Sequence, residues 1–422
     1  MFKIYLSLLF ITLSFLGRSN SILIPMDEHQ KNHLKAYGIA FDVLKKGGSV
    51  DWLLNYRGGG FLITHSSYFE SECVIRGVSF ELLNVTRTNA ILQEISAPEV
   101  NMSLVKLETA PKIAVYSPKN ALVGDDTDAV IAALDYAEIP YTIIYDEEII
   151  SDHLLKYDWL HLHHEDFTGQ HGRFMRRESA VLESKLQEAT ARQLGFEKVS
   201  QMKLAVAKRI KAFCAGGGFL FAMCSGAETF DIALAADGVD ISESIYDGDD
   251  SDADSQSKLD FTKTLAFENF TLEPGLSRRF SDINTGRPDF FEAHNDFFIV
   301  FNFSAKWDVV PSMLTQNHEN VIKEFMGQTS SFNKYVIKPD VLVLGENRKV
   351  NNVRYMYGEL GRGHWTFYSG HDPEGVAGGG GGGGRGGRRT PTDLNLHPHS
   401  PGYRLILNNV LFPSAKKRKQ KT

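Results

Sequence analysis

The stretch Phe219-Leu-Phe-Ala-Met-Cys-Ser-Gly-Ala-Glu-Thr-Phe-Asp231 decides how this chain reads. Phe219–Met223 is an apolar run of strand length, and Gly226–Ala236 carries a helical pattern. Only Cys224 and Ser225 separate them, so the chain must turn sharply from strand to helix. A cysteine in that turn meets the positive end of the helix dipole and unpaired N–H groups, which favour its thiolate. The same placement holds the nucleophile above the sheet in elbow enzymes. Gly226 is expected to let the backbone turn tightly without a Cβ clash.

Working outward, the chain alternates strand and helix from Pro111. Lys112–Tyr116, Tyr141–Tyr145 and Asp158–His163 read as strands. Asp126 or Thr127 is the expected cap of a helix carrying Val130, Ile131, Leu134 and Ala137. Helices are expected over 177–193 and 200–214, the second ending at Gly216-Gly217-Gly218. After a long interruption, Asp340–Leu344, Val353–Tyr357 and Trp365–Tyr368 read as the last strands, and Pro401–Leu411 as a closing helix. Strands separated by such helices predict an α/β fold with a doubly wound, mostly parallel sheet. Ligands in these sheets bind beyond the carboxyl ends of the strands.

Those ends carry chemistry twice more. Trp365–Tyr368 runs into Ser-Gly-His371-Asp372-Pro373-Glu374, a histidine followed by carboxylates, as a Cys–His–acid triad requires. The strand at 158–163 puts His161 and His163 on one side and ends in His164, Glu165 and Asp166, with His171 beyond. His163, His164 and Glu165 near His371 would offer nitrogen and oxygen ligands of zinc type. A polar cleft lining is the competing reading.

These motifs resemble class I glutamine amidotransferase domains, over about 111–236 and 340–412. The stretch Gly361-Arg-Gly-His-Trp-Thr-Phe-Tyr-Ser-Gly-His371 is also similar to the end of trehalose-utilisation-type members of that superfamily. The resemblance implies a flavodoxin-like sheet, with Cys224 as nucleophile, His371 as base and Glu374 as orienting acid. No cofactor and no metal are expected. The chain departs from the pattern in three places. Ala222 stands where a glycine is usual, and Asp372 lies between His371 and Glu374 and competes for the third role. Only Gly169 is available as the glycine of an oxyanion loop. The whole chain further resembles exported Bacteroidetes-type proteins labelled asparagine synthetase B. Neither an N-terminal nucleophilic cysteine nor a phosphate loop supports that activity.

Residues 1–21 read as an export signal: Lys3, an apolar run Ile4–Gly17, then Ser19 and Ser21 spaced like a cleavage site. At about 1.5 Å per residue that run falls short of the roughly 30 Å hydrocarbon core, so no stable membrane span is expected. Residues 22–109 read as an N-terminal α/β elaboration, opened by a helix over Asp27–Lys46. Residues 110–412 form the amidotransferase-like domain, with an insertion at 238–340 that begins in an acidic loop, Asp247–Asp254. That loop reads as solvated, with Ca²⁺ binding the alternative. Residues 375–390 form a flexible Gly-rich loop, and 413–422 a basic tail.

The 422-residue chain has a formal net charge of −7, which gives no electrostatic footprint for nucleic acid. Its three cysteines exclude a disulfide scaffold, although a Cys214–Cys224 bridge would silence the nucleophile. Ten of its 37 glycines fall in Gly375–Gly387, so the surplus is one local insertion. The expected product is an exported, periplasmic or secreted protein acting by thiol-dependent amide hydrolysis or transfer. The expected ligand is a small molecule or comes from the cell envelope. A non-catalytic envelope-ligand binder and a metal-dependent hydrolase are the alternatives.

Overall fold

The computed structural model describes residues 20–117, 128–163, 165–170, 178–273, 279–285, 297–308, 310–323, 329, 331–370, 372–374 and 392–415. The expected export signal, the Gly-rich run and the basic tail therefore lie outside the described residues, apart from their margins. The chain divides into two units: residues up to Ala110 with Phe303–His318 and the residues from Ser414 on, and Pro111–Asn302 with Glu319–Pro413.

The first unit is built on an antiparallel sheet of β1 (Ser21–Ile24), β2 (Val50–Leu54), β3 (Gly60–Thr64), β4 (Glu81–Leu83) and β5 (Ser103–Leu107), in the order β4-β1-β3-β2-β5. Helix α1 (His33–Lys45) starts at Asn32, whose side chain accepts from the Lys35 N–H. The start is later than sequence predicts because this cap fixes it. Helices α2 (Ser67–Ile75) and α3 (Val85–Ser96) follow. Ile91 and Ile95 of α3 pack on Leu23, Leu53 and Leu62 of the sheet.

The second unit holds a mixed sheet. Five of its strands are neighbours and parallel: β6 (Ile113–Tyr116), β7 (Thr142–Ile144), β8 (Trp159–Leu162), β9 (Phe219–Met223) and β15 (Gly363–Tyr368), in the order β7-β6-β8-β9-β15. Every residue of β6, β8 and β9 is buried, as parallel strands covered on both faces demand. On one face, Val206, Ile210 and Phe213 of α7 (Val199–Gly216) and Ala227, Phe230 and Leu234 of α8 (Cys224–Ala235) pack on Leu160, Leu162, Leu220 and Ala222. Helices α4 (Ala129–Ala137) and α9 (Pro401–Leu411) pack together. Tyr368 and Tyr355 hydrogen-bond into α9. Between β7 and β8 lies the short α5 (Asp146–Ile150), and α6 (Glu178–Gln193) precedes α7.

The rest of the sheet is antiparallel, so the expectation of a mostly parallel sheet is met only in its five-strand half. β10 (Phe297–Val300), β11 (Val321–Lys323), β12 (Phe332–Asn333), β13 (Leu342–Asn347) and β14 (Asn352–Leu360) extend it beyond β15. Only Gly361 and Arg362 join β14 to β15, too few for a parallel crossover, so the pair must form a hairpin. No helix among the described residues is long and apolar enough to cross a membrane.

Candidate functional site

The turn after β9 has a strained centre. Cys224 adopts φ +51°, a left-handed conformation that costs a non-glycine residue about 1–2 kcal/mol. Gly226 avoids a Cβ clash as expected, but it is not the residue that makes the turn. The left-handed residue is the cysteine, and Gly226 serves close approach instead. A Cβ on it would stand 2.6 Å from the His163 carbonyl oxygen. The first turn of α8 thus lies against the end of β8. Cys224 is wholly buried, as are Cys73 and Cys214, and none of the three forms a disulfide.

The residues after Cys224 hold the surrounding loops. Glu228 accepts from the Ser281 N–H (3.1 Å), the Ser281 hydroxyl (2.8 Å) and the Thr329 hydroxyl (2.7 Å). The Thr229 hydroxyl lies 2.7 Å from the Glu165 carbonyl and accepts from the Phe167 N–H. Asp231 accepts from the N–H groups of Leu265, Ala266 and Phe267 at 2.7–3.0 Å. Burial pushes its carboxyl up to about 6 despite those three donors. One helix face therefore anchors the aperiodic segment that sequence reasoning could not interpret.

A second cluster was not foreseen. Asp128, not Asp126 or Thr127, caps α4: its Oδ1 accepts from the N–H groups of Val130 (2.7 Å) and Ile131 (3.1 Å). Both alternatives lie outside the described residues. The other oxygen, Oδ2, lies 3.1 Å from His161 Nε2 and 3.2 Å from His163 Nδ1. Burial alone would raise the Asp128 carboxyl, but the charge and hydrogen bonds of His163 and His161 hold it well below the usual carboxylate range. His161 Nδ1 lies 3.2 Å from the Phe221 carbonyl of β9. The two imidazoles stack with centroids 5.9 Å apart. An acid at the start of α4 was legible as a cap, but nothing in the sequence links it to the histidines of β8.

On the helix side of the same strand ends, Lys203 of α7 donates to the Tyr116 hydroxyl (2.7 Å) and to both Asp146 oxygens (3.0 and 3.1 Å). Burial, followed by the charges of Asp146 and Glu165, drives the Tyr116 hydroxyl well above its ordinary value. This network is fully paired and buried.

The expected triad is only partly described. His371 and His164 lie outside the described residues, as does His171. β15 runs beside β9 with Tyr368 paired to Met223, so Cys224 and the loop after Tyr368 leave the sheet at the same end. Gly370 donates its N–H to the Thr329 carbonyl (2.7 Å), whose hydroxyl serves Glu228. Asp372 forms the turn: its oxygens accept from the Glu374 N–H (3.1 Å), the Tyr403 hydroxyl (3.0 Å) and the Thr392 hydroxyl (2.6 Å). Glu374 lies 3.3 Å from His397 Nδ1. Gly169 has φ +76°, and a Cβ there would stand 2.8 Å from the Ser200 nitrogen, so it packs on the start of α7.

Among the described residues, two groups bring three potential metal ligands together: Asp27-Glu28-His29 and Asp240-Asp247-Asp249. Neither includes His163 or Glu165. The second fills its centre with the Lys198 ammonium, at 2.6 Å from Asp240, 3.2 Å from Asp247 and 2.6 Å from Asp249. A cleft of about 270 Å³ lies at the antiparallel edge, lined by Ile299, Phe301, Asn302, Asn320, Glu346 and Arg348 among others.

No family model matches the chain, and no curated protein does. Among solved structures, the cytoplasmic protein STM3548 from Salmonella typhimurium aligns with 72% of this chain and 100% of its own, at 11% identity and TM-score 0.36. The cytoplasmic protein STM1381 from Salmonella typhimurium LT2 gives 72%, 100%, 10% and 0.36 for the same quantities. A GH42 β-galactosidase, Gan42B, aligns over 62% of this chain and 28% of its own, at 11% identity and TM-score 0.25. Similarities at this level carry no argument about activity. What stands is a mixed α/β protein.

Proposed function

We propose that the second unit is a flavodoxin-like, doubly wound domain of the class I glutamine amidotransferase type, cleaving or transferring an amide through Cys224. Numbered along the chain, the five parallel strands run 2-1-3-4-5, the order of flavodoxin-like sheets. The observation that carries the reading is the left-handed backbone of Cys224 between β9 and α8. A residue other than glycine holds strain of this kind where the surrounding structure forces it, and such sites cluster where chemistry is done. His371 as base and Glu374 as orienting acid follow from the resemblance. The shared edge of β9 and β15 supports that assignment. The apolar leader over 1–21 supports export, with a small-molecule or envelope-derived amide as substrate class.

The complete burial of Cys224 favours a second reading, a non-catalytic binder using the same strand ends. Ammonia release separates the two. Incubation with glutamine, asparagine and envelope-type amides should release ammonia from the wild type and not from Cys224→Ala. No release by the wild type, or equal release by both proteins, overturns catalysis and leaves binding.

A further inference from the structure

The cleft of about 270 Å³ at the antiparallel edge is lined by residues of the second unit alone and has no part in the roles assigned above. Three strands, β13, β14 and β15, separate β10 from β9 and the Cys224 turn. Neighbouring strands lie about 4.8 Å apart, so the two places are roughly 19 Å distant across the sheet. Ile299 stands between Val321 of β11 and Glu346 of β13. It is 41% exposed and, with Phe301, gives the cleft an apolar floor. Arg348 lies over Phe301, its guanidinium carbon 5.4 Å from the ring centroid. Its Nε donates to one oxygen of Glu346 at 2.7 Å, and the Lys334 ammonium donates to the other at 2.7 Å. Burial alone would raise the Glu346 carboxyl, but the bonds from Lys334 and Arg348 hold it below its ordinary range. Asn302 and Asn320, both exposed, complete the rim.

We propose that this cleft binds a small monocarboxylate with a short apolar body, the carboxylate on Arg348 and the body on Ile299 and Phe301. The guanidinium is held in place twice, by the Phe301 ring and by Glu346 at Nε. Its Nη1 and Nη2 make no hydrogen bond among the described residues, and together they form a fork that a carboxylate meets bidentately. A fork positioned in advance lowers the ordering cost of binding. Charge points the same way. Two cations, Lys334 and Arg348, flank the single carboxylate of Glu346, so one positive charge is left for one anionic group. Asn302 and Asn320 bring amide donors and acceptors to the rim. The volume falls just below the roughly 300–1,000 Å³ of drug-sized pockets, which restricts the ligand to a small one.

Calorimetric titration of the full chain with isocaproate and isohexanol tests the site, at low ionic strength where an exposed guanidinium is least screened. The two probes share one carbon skeleton, differ in carboxylate against hydroxyl, and carry no amide for Cys224 to act on. The wild type should bind isocaproate with a Kd of about 1 mM, and isohexanol about tenfold or more weakly. Arg348→Gln should lose the same factor for isocaproate and none for isohexanol. The Arg348 side chain is 76% exposed, so the variant should fold, and its thermal midpoint checks this. Arg348→Lys keeps the charge without the fork and should fall between the two. Inorganic phosphate is the third probe and should bind more weakly than isocaproate, because it leaves the apolar floor empty. Equal affinity for isocaproate and isohexanol, an undiminished affinity in folded Arg348→Gln, or no saturable binding overturns the proposal. Phosphate binding as tight as isocaproate also overturns it, since the cleft would then be an indifferent anion patch. None of these outcomes bears on Cys224, so the cleft and the amidotransferase reading stand or fall separately.

Discussion

The carbonyl oxygen of His163 occupies the space that a side chain at position 226 would need, 2.6 Å from an ideal Cβ on Gly226. This contact ties the end of β8 to the turn that carries Cys224. Gly226→Ala must push these backbones apart. The expected cost is about 1–3 kcal/mol, read as a lower denaturation midpoint, together with slower alkylation of Cys224. An alanine variant as stable and as thiol-reactive as the wild type would show the joint to be slack.

Asp231 gives a pH dependence of definite sign. Its carboxyl is raised to about 6 by burial, so between about pH 4 and pH 6 the folded state holds a proton that the unfolded chain has lost. Stability is full below that window and falls as pH rises through it, by about 3 kcal/mol for a shift of roughly two units. Urea titrations from pH 4 to pH 7 should show this slope in the wild type and lose it in Asp231→Asn. That variant should also be weaker near pH 4, because an amide cannot accept from all three N–H donors of residues 265–267.

Asp128 works in the opposite direction. Its carboxyl is held low, so its contribution is present above the ordinary aspartate range and is lost as pH falls toward and below it. Asp128→Ala loses the cap and leaves two buried imidazoles without their carboxylate. It should cost about 1–2 kcal/mol more than Asp128→Asn, which keeps the cap. Denaturant unfolding at pH 7 compares them directly.

Lys198 occupies the centre of the one carboxylate group that the acidic loop helps to form among the described residues. The ammonium sits among Asp240, Asp247 and Asp249, and those carboxylates hold it firmly protonated. Adding about 1 mM Ca²⁺ should leave the wild-type thermal midpoint unchanged. In Lys198→Ala the three carboxylates face one another, and the midpoint should drop and then recover with Ca²⁺. A calcium-stabilised wild type would contradict this account.

Much of the second unit was legible because its strands are short apolar runs and its helices carry clear stripes. Phe219–Met223 and Pro401–Leu411 have the predicted bounds. The expected strands at 340–344 and 353–357 belong to the antiparallel half, which periodicity does not reveal because it carries no direction; the two-residue link at Gly361-Arg362 does. The insertion at 238–340 is opaque in sequence for another reason. Among its described residues, Asp231 of α8 holds 265–267 and Glu228 holds Ser281, and no local pattern announces such long-range bonds. The strand–turn–helix placement of Cys224 is legible in Phe219–Asp231, and Cys224 does open α8 after β9. The link between Asp128 and His163 spans two elements distant in sequence and emerges only when β8 is set beside the start of α4.

Cys224 alone can report on the site's thiol chemistry. Burial pushes the Cys73 thiol up to about 12 and the Cys214 thiol likewise up to about 12, so both stay protonated and silent from pH 5 to pH 8. The most direct test is therefore the second-order rate of iodoacetamide alkylation of the native wild-type protein across that range, site-resolved by mass spectrometry. The account predicts that Cys224 reacts near pH 6 faster than a free thiol, with an inflection below the free-thiol value. Reaction no faster than a free thiol, or only after unfolding, would contradict it.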